Sequence, residues 1–449
     1  MKTAKVLPKG HSKLLNAWAF YDWANSVYSL TIVSAIFPVF YGALFKIAQT
    51  NQIQLFGYMF KSTAVITFVT ALAFGVVAVL SPILSGIADY LGNKKSFMRF
   101  FCFLGGFSCI GLYWFSLENI YFGLSCYFFG VIGFWGSIVF YNSYLPDIAF
   151  AHQYDNLSAK GYIMGYIGSV ILLIFNLIMI QNPTYFGFSS QGNDIVLQVM
   201  PISFLMVGIW WIGFAQYTFY YLPENKSGNK IKTNIIFNGY KELVSVQKKL
   251  FHNKLLRKYL VAFFVFSMGV QTVMLVAAYF GEQEIAWETQ NKKAIGLIIS
   301  ILLIQLVAIL GAKCTAILSE KYGNISTLIG INIVWTILCI LAFWVTTPLQ
   351  FYIMAGFVGI IMGGIQALGR STYSKFLPET TDTTSFFSFY DVAEKIGIVI
   401  GMGIYGLIDQ LTGSMRNSLI FLAMFFFVGV ILLIFVYQEQ RKQNNEISA

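Results

Sequence analysis

Asp22, Asn25, Ser26 and Ser29 stand at i, i+3, i+4 and i+7 in the stretch NAWAFYDWANSVYSLTIVSAIFPVFY, and Tyr390, Asp391, Glu394 and Lys395 stand together in FFSFYDVAEKIG. The first set puts a carboxylate, an amide and two hydroxyls on one stripe of a helix whose other faces are aromatic and aliphatic. A carboxylate so placed can bind an ammonium group or carry a proton. In the second set Asp391 and Lys395 can pair along a helix, which makes both cheaper to hold in apolar surroundings, while Glu394 points to a neighbouring position. Carboxylates inside apolar segments are costly and usually face a cavity or a partner. The stripe through Asp22 is therefore read as lining a path for polar solute. The alternative is a helix-end acid in the headgroup zone, which Trp18 and Trp23 would mark. The Asp391–Lys395 pair is read either as structural or as part of gating or coupling.

The elements that carry these residues are membrane spans. Of the 449 residues, 57% are hydrophobic and 11% charged, against roughly 25% charged in soluble domains. Apolar runs recur along the chain, each close to the roughly 20 residues a helix needs to cross a bilayer. Twelve spans are expected, near 18–45, 62–82, 97–117, 121–143, 160–181, 199–222, 258–280, 295–318, 326–346, 350–369, 385–408 and 417–437. The first run is longer than a signal-peptide core and has no small-residue cleavage site. Cys102, Cys109, Cys126, Cys314 and Cys339 fall inside apolar runs, so neither disulfides nor a metal site is indicated. The net charge of +10 reflects topology rather than nucleic-acid binding. All of the 29 lysines and arginines except Lys46, Lys61, Lys292, Lys293 and Arg416 fall on the side of the termini or near its boundary. The positive-inside rule then makes both termini cytoplasmic, in the cell membrane.

Two halves echo each other. DYLGN (89–93) follows span 2 and EKYGN (320–324) follows span 8; YLPD (144–147) closes span 4 and FLPE (376–379) closes span 10. The chain divides into residues 1–222, a polar linker 223–257 and residues 258–449. Within the linker, IFNGYKELVSVQKKLF reads either as a helix lying at the membrane surface or as a solvated connector. Six-plus-six parallel repeats are the build of the major facilitator fold, in which two bundles rock about a midplane site. The expected fold is an all-α membrane protein of twelve transmembrane helices in two six-helix pseudo-repeats.

SGIADYLGNKKSFMR, between spans 2 and 3, resembles the loop signature of major facilitator transporters, with Ser85 where the family has glycine. The resemblance implies an inner gate at Asp89, Gly92, Lys94, Lys95 and Arg99, with Asp147 and Glu320 at the equivalent inner ends; the alternative is a loop that only sets topology. YDWANSVY, FYNSYLPDIA, SAKGYIMGYIGS, GGIQALGRSTYSKFLPE and FFSFYDVAEKIG together resemble the vacuole-effluxer-like branch of the superfamily. That branch includes bacterial members and the autophagy-related amino-acid exporters of fungal vacuoles. GIQALGRS mimics a phosphate loop but closes a membrane span, so no nucleotide-driven pump is indicated. Arg370 within it is counted with the inner gate and is expected to meet a carboxylate or a lipid phosphate at the inner boundary, with Asn142 and Asp147 at the equivalent end of the other half. Gly161 with Gly165, and Gly397 with Gly401, permit close helix packing.

These readings imply a monomeric secondary transporter of small polar solutes, amino acids first, with no cofactor and no metal. Asn142, Gln366 and Tyr390 join the polar residues of the path. Membrane lipids are its surroundings, and a proton carried by Asp22 or Glu394 is the candidate coupling ion. A lipid-modifying enzyme would need a histidine with a partner carboxylate at one membrane face, and no span or loop offers one. A solute receptor without transport is the remaining alternative.

Overall fold

In lipid every backbone N–H and C=O must be paired within its own segment, so long apolar runs become helices. The computed structural model describes residues 7–188, 194–224 and 235–448. Among these, twelve long helices occupy the expected runs: span 1 (Ser12–Ile47), span 2 (Ser62–Leu91), span 3 (Lys94–Gly111), span 4 (Ile120–Ser143), span 5 (Tyr154–Gln181), span 6 (Asp194–Tyr221), span 7 (Lys254–Gln283), span 8 (Gln290–Tyr322), span 9 (Asn324–Ala342), span 10 (Pro348–Phe376), span 11 (Thr383–Thr412) and span 12 (Met415–Ser448). Eleven are long and apolar enough to cross a membrane by composition alone. Span 11 is the other, and it carries Asp391, Glu394 and Lys395. Asp391 and Lys395 are buried, so its charge is turned into the protein and away from lipid.

Several helices overrun the expected spans, span 2 reaching Leu91 and span 10 reaching Phe376. Their extra turns pack against other spans at the face that bears the termini. Gly10 donates its N–H to the Ile148 carbonyl and Lys258 pairs with Glu439, which sets both ends of the chain on that face. Spans 2 and 8 end alike, at Gly92 (φ 65°) and Gly323 (φ 85°), left-handed positions that favour glycine.

Three features depart from the expected regular bundle. Gln52–Leu55 and Tyr58–Lys61 pair as an antiparallel hairpin outside spans 1 and 2, a small exception to an all-α fold. Its two-residue turn, Phe56–Gly57, has φ of 50° and 85°, the primed-turn geometry that matches strand twist. Span 1 is α-helical over Ser12–Val27 and Ile36–Ile47 but takes a wider π-type turn over Tyr28–Ala35. That turn rotates the outer half of the helix, so the 3.6-residue stripe does not continue past Ser29. The linker forms a helix, Ile235–His252, packed on span 2 rather than a solvated connector; Lys226, Lys230 and Lys232 lie outside the described residues.

Buried apolar side chains gather in two large clusters. One is built around Trp18, Tyr21, Tyr141 and Trp211 of spans 1–6, the other around Tyr259, Trp335, Tyr373 and Phe426 of spans 7–12. Between them lies a small alanine cluster, Ala159, Ala312, Ala316 and Ala367, where spans 5, 8 and 10 meet. Small residues let helix backbones approach closely. Spans 2 and 11 form a second seam between the clusters.

Candidate functional site

Arg370, on span 10, is buried at the junction and bound on every side. Its Nε donates to Ser158 Oγ at 2.9 Å, its Nη2 to the Ser158 carbonyl at 3.0 Å, and its Nη1 to Asn142 Oδ1 at 3.0 Å. Nη2 also lies 3.6 Å from Asp22 Oδ2. The guanidinium is sandwiched by rings, 4.4 Å from Tyr162 and 4.8 Å from Trp18. Asp22 also accepts a hydrogen bond from Tyr141 Oη at 2.7 Å. A buried charge is tolerable only when paired and hydrogen-bonded, and this planar fork bonds acceptors on spans 4 and 5 while its charge faces Asp22 of span 1. Asp22 reaches it because Gly161 leaves room. A Cβ there would stand 2.5 Å from Asp22 Oδ2, 3.0 Å from Tyr141 Oη and 3.1 Å from Arg370 Nη2. Gly161→Ala should therefore destabilise the protein by about 1–3 kcal/mol, read as a lower midpoint of thermal unfolding in detergent. An unchanged midpoint would mean that the pair relaxes away from the methyl without cost.

A second buried cluster sits on span 11. Lys395 bonds Asp391 on its own helix and lies 3.4 Å from Glu394 Oε2, with its ammonium 4.0 Å from the Trp135 ring centre on span 4. Gln271 of span 7 donates to Glu394 Oε1 at 2.7 Å, and Ser81 of span 2 donates to Asp391 Oδ2 at 3.4 Å. Two carboxylates share one lysine, leaving one formal negative charge in excess. Nearby, Tyr166 Oη donates to Gln366 Oε1 at 3.1 Å, joining spans 5 and 10, and Tyr390 stacks on Phe263 at 3.9 Å. Among the described residues no group of three or more His, Cys, Asp or Glu is arranged to hold a metal ion.

Below these clusters the helix ends at the face that bears the termini are tied together. Asp89 accepts the backbone N–H groups of Ser385 at 2.6 Å and Thr384 at 3.2 Å, the first turn of span 11, where the helix dipole favours an anion. Glu320, at the matching end of span 8, accepts from Asn156 at the start of span 5. Lys94 pairs with Asp147 at 2.5 Å and donates to Thr383 Oγ1 at 3.0 Å. Asp155, which sequence reasoning missed, accepts from Lys375 at 2.5 Å and from Asn324 at 2.8 Å.

Several sequence expectations are corrected. Trp18 is no headgroup marker: it is fully buried, stacks on Tyr141 at 4.5 Å and donates to the Tyr141 carbonyl. Asp22 is accordingly a buried, paired carboxylate. Asp147 pairs with Lys94, one of the basic residues of the loop after span 2. Lys95 donates to the Leu222 carbonyl at 2.8 Å and Arg99 lies over the Phe219 ring. The polar stripe of span 1 faces span 5 as much as any path. Ser26 Oγ fills the space beside Gly165, and Ser29 bonds back to the Ser26 carbonyl. Asn25 is buried with its amide nitrogen unpartnered. GIQALGRS lies inside the span 10 helix and does not end it. Tyr141 and Ser158 were present in FYNSYLPD and SAKGY, the signal being a hydroxyl beside small residues at an inner helix end.

Twelve spans, with spans 5 and 8 and spans 2 and 11 meeting across a buried ion-paired junction, define a transporter of the major facilitator fold. The E. coli fucose:proton symporter FucP superposes with a TM-score of 0.67 at 16% identity, over 95% of this chain and 98% of that one. The proton:xylose symporter XylE gives 0.66 at 12% identity, over 95% and 94%. The chain belongs to the family described as vacuole effluxer Atg22 like, whose model matches residues 10–446. An MFS-type transporter of Bacillus subtilis, YxiO, is 30% identical over 96% of both chains. Autophagy-related protein 22 of Eremothecium gossypii is 24% identical over 96% of this chain and 91% of its own. For the Yarrowia lipolytica protein of that name the match is 23% and spans 51% of its length. The chain is thus a multi-pass membrane transporter and not an enzyme.

Proposed function

We propose that the chain is a secondary transporter working by alternating access, moving small polar solutes across the cell membrane, with amino acids the leading class. The observation that carries the reading is the pairing of charges from both sets of six spans at one buried junction. Arg370 and Asp22 offer a cation and an anion that a zwitterion can engage by exchanging partners. Glu394, sharing Lys395 with Asp391, supplies the excess negative charge that an α-ammonium group would neutralise. The family's description as effluxers makes export the direction to test first. Asp22 and Glu394 are the carboxylates offered for a coupling proton.

The test is flux of labelled amino acids in proteoliposomes, alongside thermal unfolding in their presence, since a ligand of the folded state raises its stability. Amino acids should raise the midpoint and exchange across the vesicle. A shift produced by sugars or nucleosides instead would overturn the substrate class, and binding without flux would make the chain a receptor.

The Asp89 contact to span 11 is proposed as the inner gate, with the face of the termini cytoplasmic. Asp89→Asn keeps the shape but loses the charge-assisted bonds to Thr384 and Ser385, weakening the closed arrangement by about 1–2 kcal/mol. Cysteines placed along the inner ends should then label faster from the terminal face; unchanged labelling would reduce the loop to a topology signal. A tag after Ala449 should report cytoplasm and one beside Lys292 the outside, and the reverse would invert the orientation.

A further inference from the structure

We propose that the outward face of the linker helix Ile235–His252 is a docking surface for the headgroups of anionic phospholipids in the leaflet at the terminal face. The opposite face is held by the protein. Gly239, Val246 and Leu250 are buried. A Cβ on Gly86 of span 2 would lie 2.2 Å from the Gly239 carbonyl oxygen, so the two helices are in backbone contact. Lys249 Nζ lies 2.8 Å from Asp382 Oδ2, in the residue that opens span 11. That bond is the chief reason its ammonium is raised above the ordinary lysine range. Glu242 beside it is raised by burial and then by Asp382. The helix is thus pinned level with the inner ends of spans 2 and 11, the level at which a bilayer presents its headgroups.

The free face combines two chemistries. Phe237, Tyr240, Lys241, Val244, Lys248 and Phe251 follow at i, i+3, i+4, i+7, i+11 and i+14, one stripe of a helix. Phe237 and Tyr240 are each 56% exposed and Phe251 54%. The Lys241 ammonium lies 4.6 Å from the Phe237 ring centre. Phe237, Tyr240, Lys241, Val244, Ser245 and Lys248 line a groove of about 410 Å³. Beyond the helix, Arg257, whose Nη1 donates to the Phe251 carbonyl, and Lys258, already paired with Glu439, line a second groove with Val261, Leu432 and Phe435 of spans 7 and 12. Large aromatic side chains are unfavourable in water, and lysines on the same stripe seek anions. A neutral lipid surface would cover the rings and leave the lysines unanswered. A bilayer carrying negative headgroups answers both, and the spans already place it alongside. Because Gly239 and Lys249 touch the two helix ends that Asp89 joins, a lipid on this face bears on the same contact.

Hydrogen exchange of residues 235–252 in the full chain, held in nanodiscs of phosphatidylcholine with or without phosphatidylglycerol, tests the proposal. Phosphatidylglycerol should slow exchange of this helix by about tenfold. The Lys241→Glu/Lys248→Glu double variant should lose the slowing, and Lys241→Arg/Lys248→Arg should keep it. Equal exchange in both discs, or slowing that survives charge reversal, would overturn the proposal. Soluble polyglutamate slowing exchange in phosphatidylcholine discs as much as phosphatidylglycerol does would also overturn it, assigning the face to an acidic protein. The measurement uses no transported solute, so its failure leaves the transport reading untouched.

Discussion

Arg370→Gln should abolish transport and lower thermal stability more than any other single change at the junction. The substitution leaves Asp22 buried with only the Tyr141 hydroxyl to answer its charge, and it removes the fork that Asn142 and Ser158 share. Breaking a buried pair by deleting one partner costs about 3–5 kcal/mol, because the remaining charge is neither hydrated nor matched. Adding Asp22→Asn to Arg370→Gln should restore much of the stability but none of the flux, since the site is then neutral yet without charges to exchange. Arg370→Lys should fall between the two: the charge is kept, but a single ammonium cannot reproduce the fork that reaches Asn142 and Ser158 on different helices. Unfolding midpoints and proteoliposome exchange for the four proteins decide the matter. Normal stability in Arg370→Gln would sink the view that this pair holds the junction.

Lys395→Met should be nearly as damaging, for the same electrostatic reason. Without the ammonium, Asp391 and Glu394 become two neighbouring carboxylates with Ser81 and Gln271 as their remaining donors, and the cation–ring contact to Trp135 is lost as well. The expected cost is again about 3–5 kcal/mol. A second change, Asp391→Asn, should recover most of it by returning the cluster to a single negative charge. If Lys395→Met with Glu394→Gln recovers stability while Lys395→Met with Asp391→Asn does not, Glu394 is the lysine's principal partner and the pairing described here is wrong. Flux in the recovered variant separates the two roles. A structural pair would transport once stability returns, whereas a pair that gates or couples would not.

The twelve helices, their alternation across the membrane and the repeated inner-end motifs were legible in the sequence. Each depends on local composition: an apolar run long enough to cross lipid has no choice but to be a helix, and a glycine after DYL or EKY ends it. The Asp391–Lys395 pair was legible too, because i and i+4 on one helix are neighbours whatever surrounds them. The hairpin at 52–61 was not, being ten residues of mixed polar, aliphatic and aromatic character between two far stronger apolar signals.

Only the tertiary structure decided what each polar face meets. Asp22 finds Arg370 on span 10, Asp89 finds the start of span 11, and Asp155 finds Lys375. Trp18, whose sequence context suits a headgroup marker, is instead the ring on which Tyr141 and Arg370 stack. The π-type turn at Tyr28–Ala35 breaks the helical period just where the polar stripe of span 1 ends. Periodicity reports which side of a helix is polar. It carries no record of the neighbouring helix, and at a junction between distant parts of the chain the neighbour sets whether a buried charge is a ligand site, a lock or a structural pair.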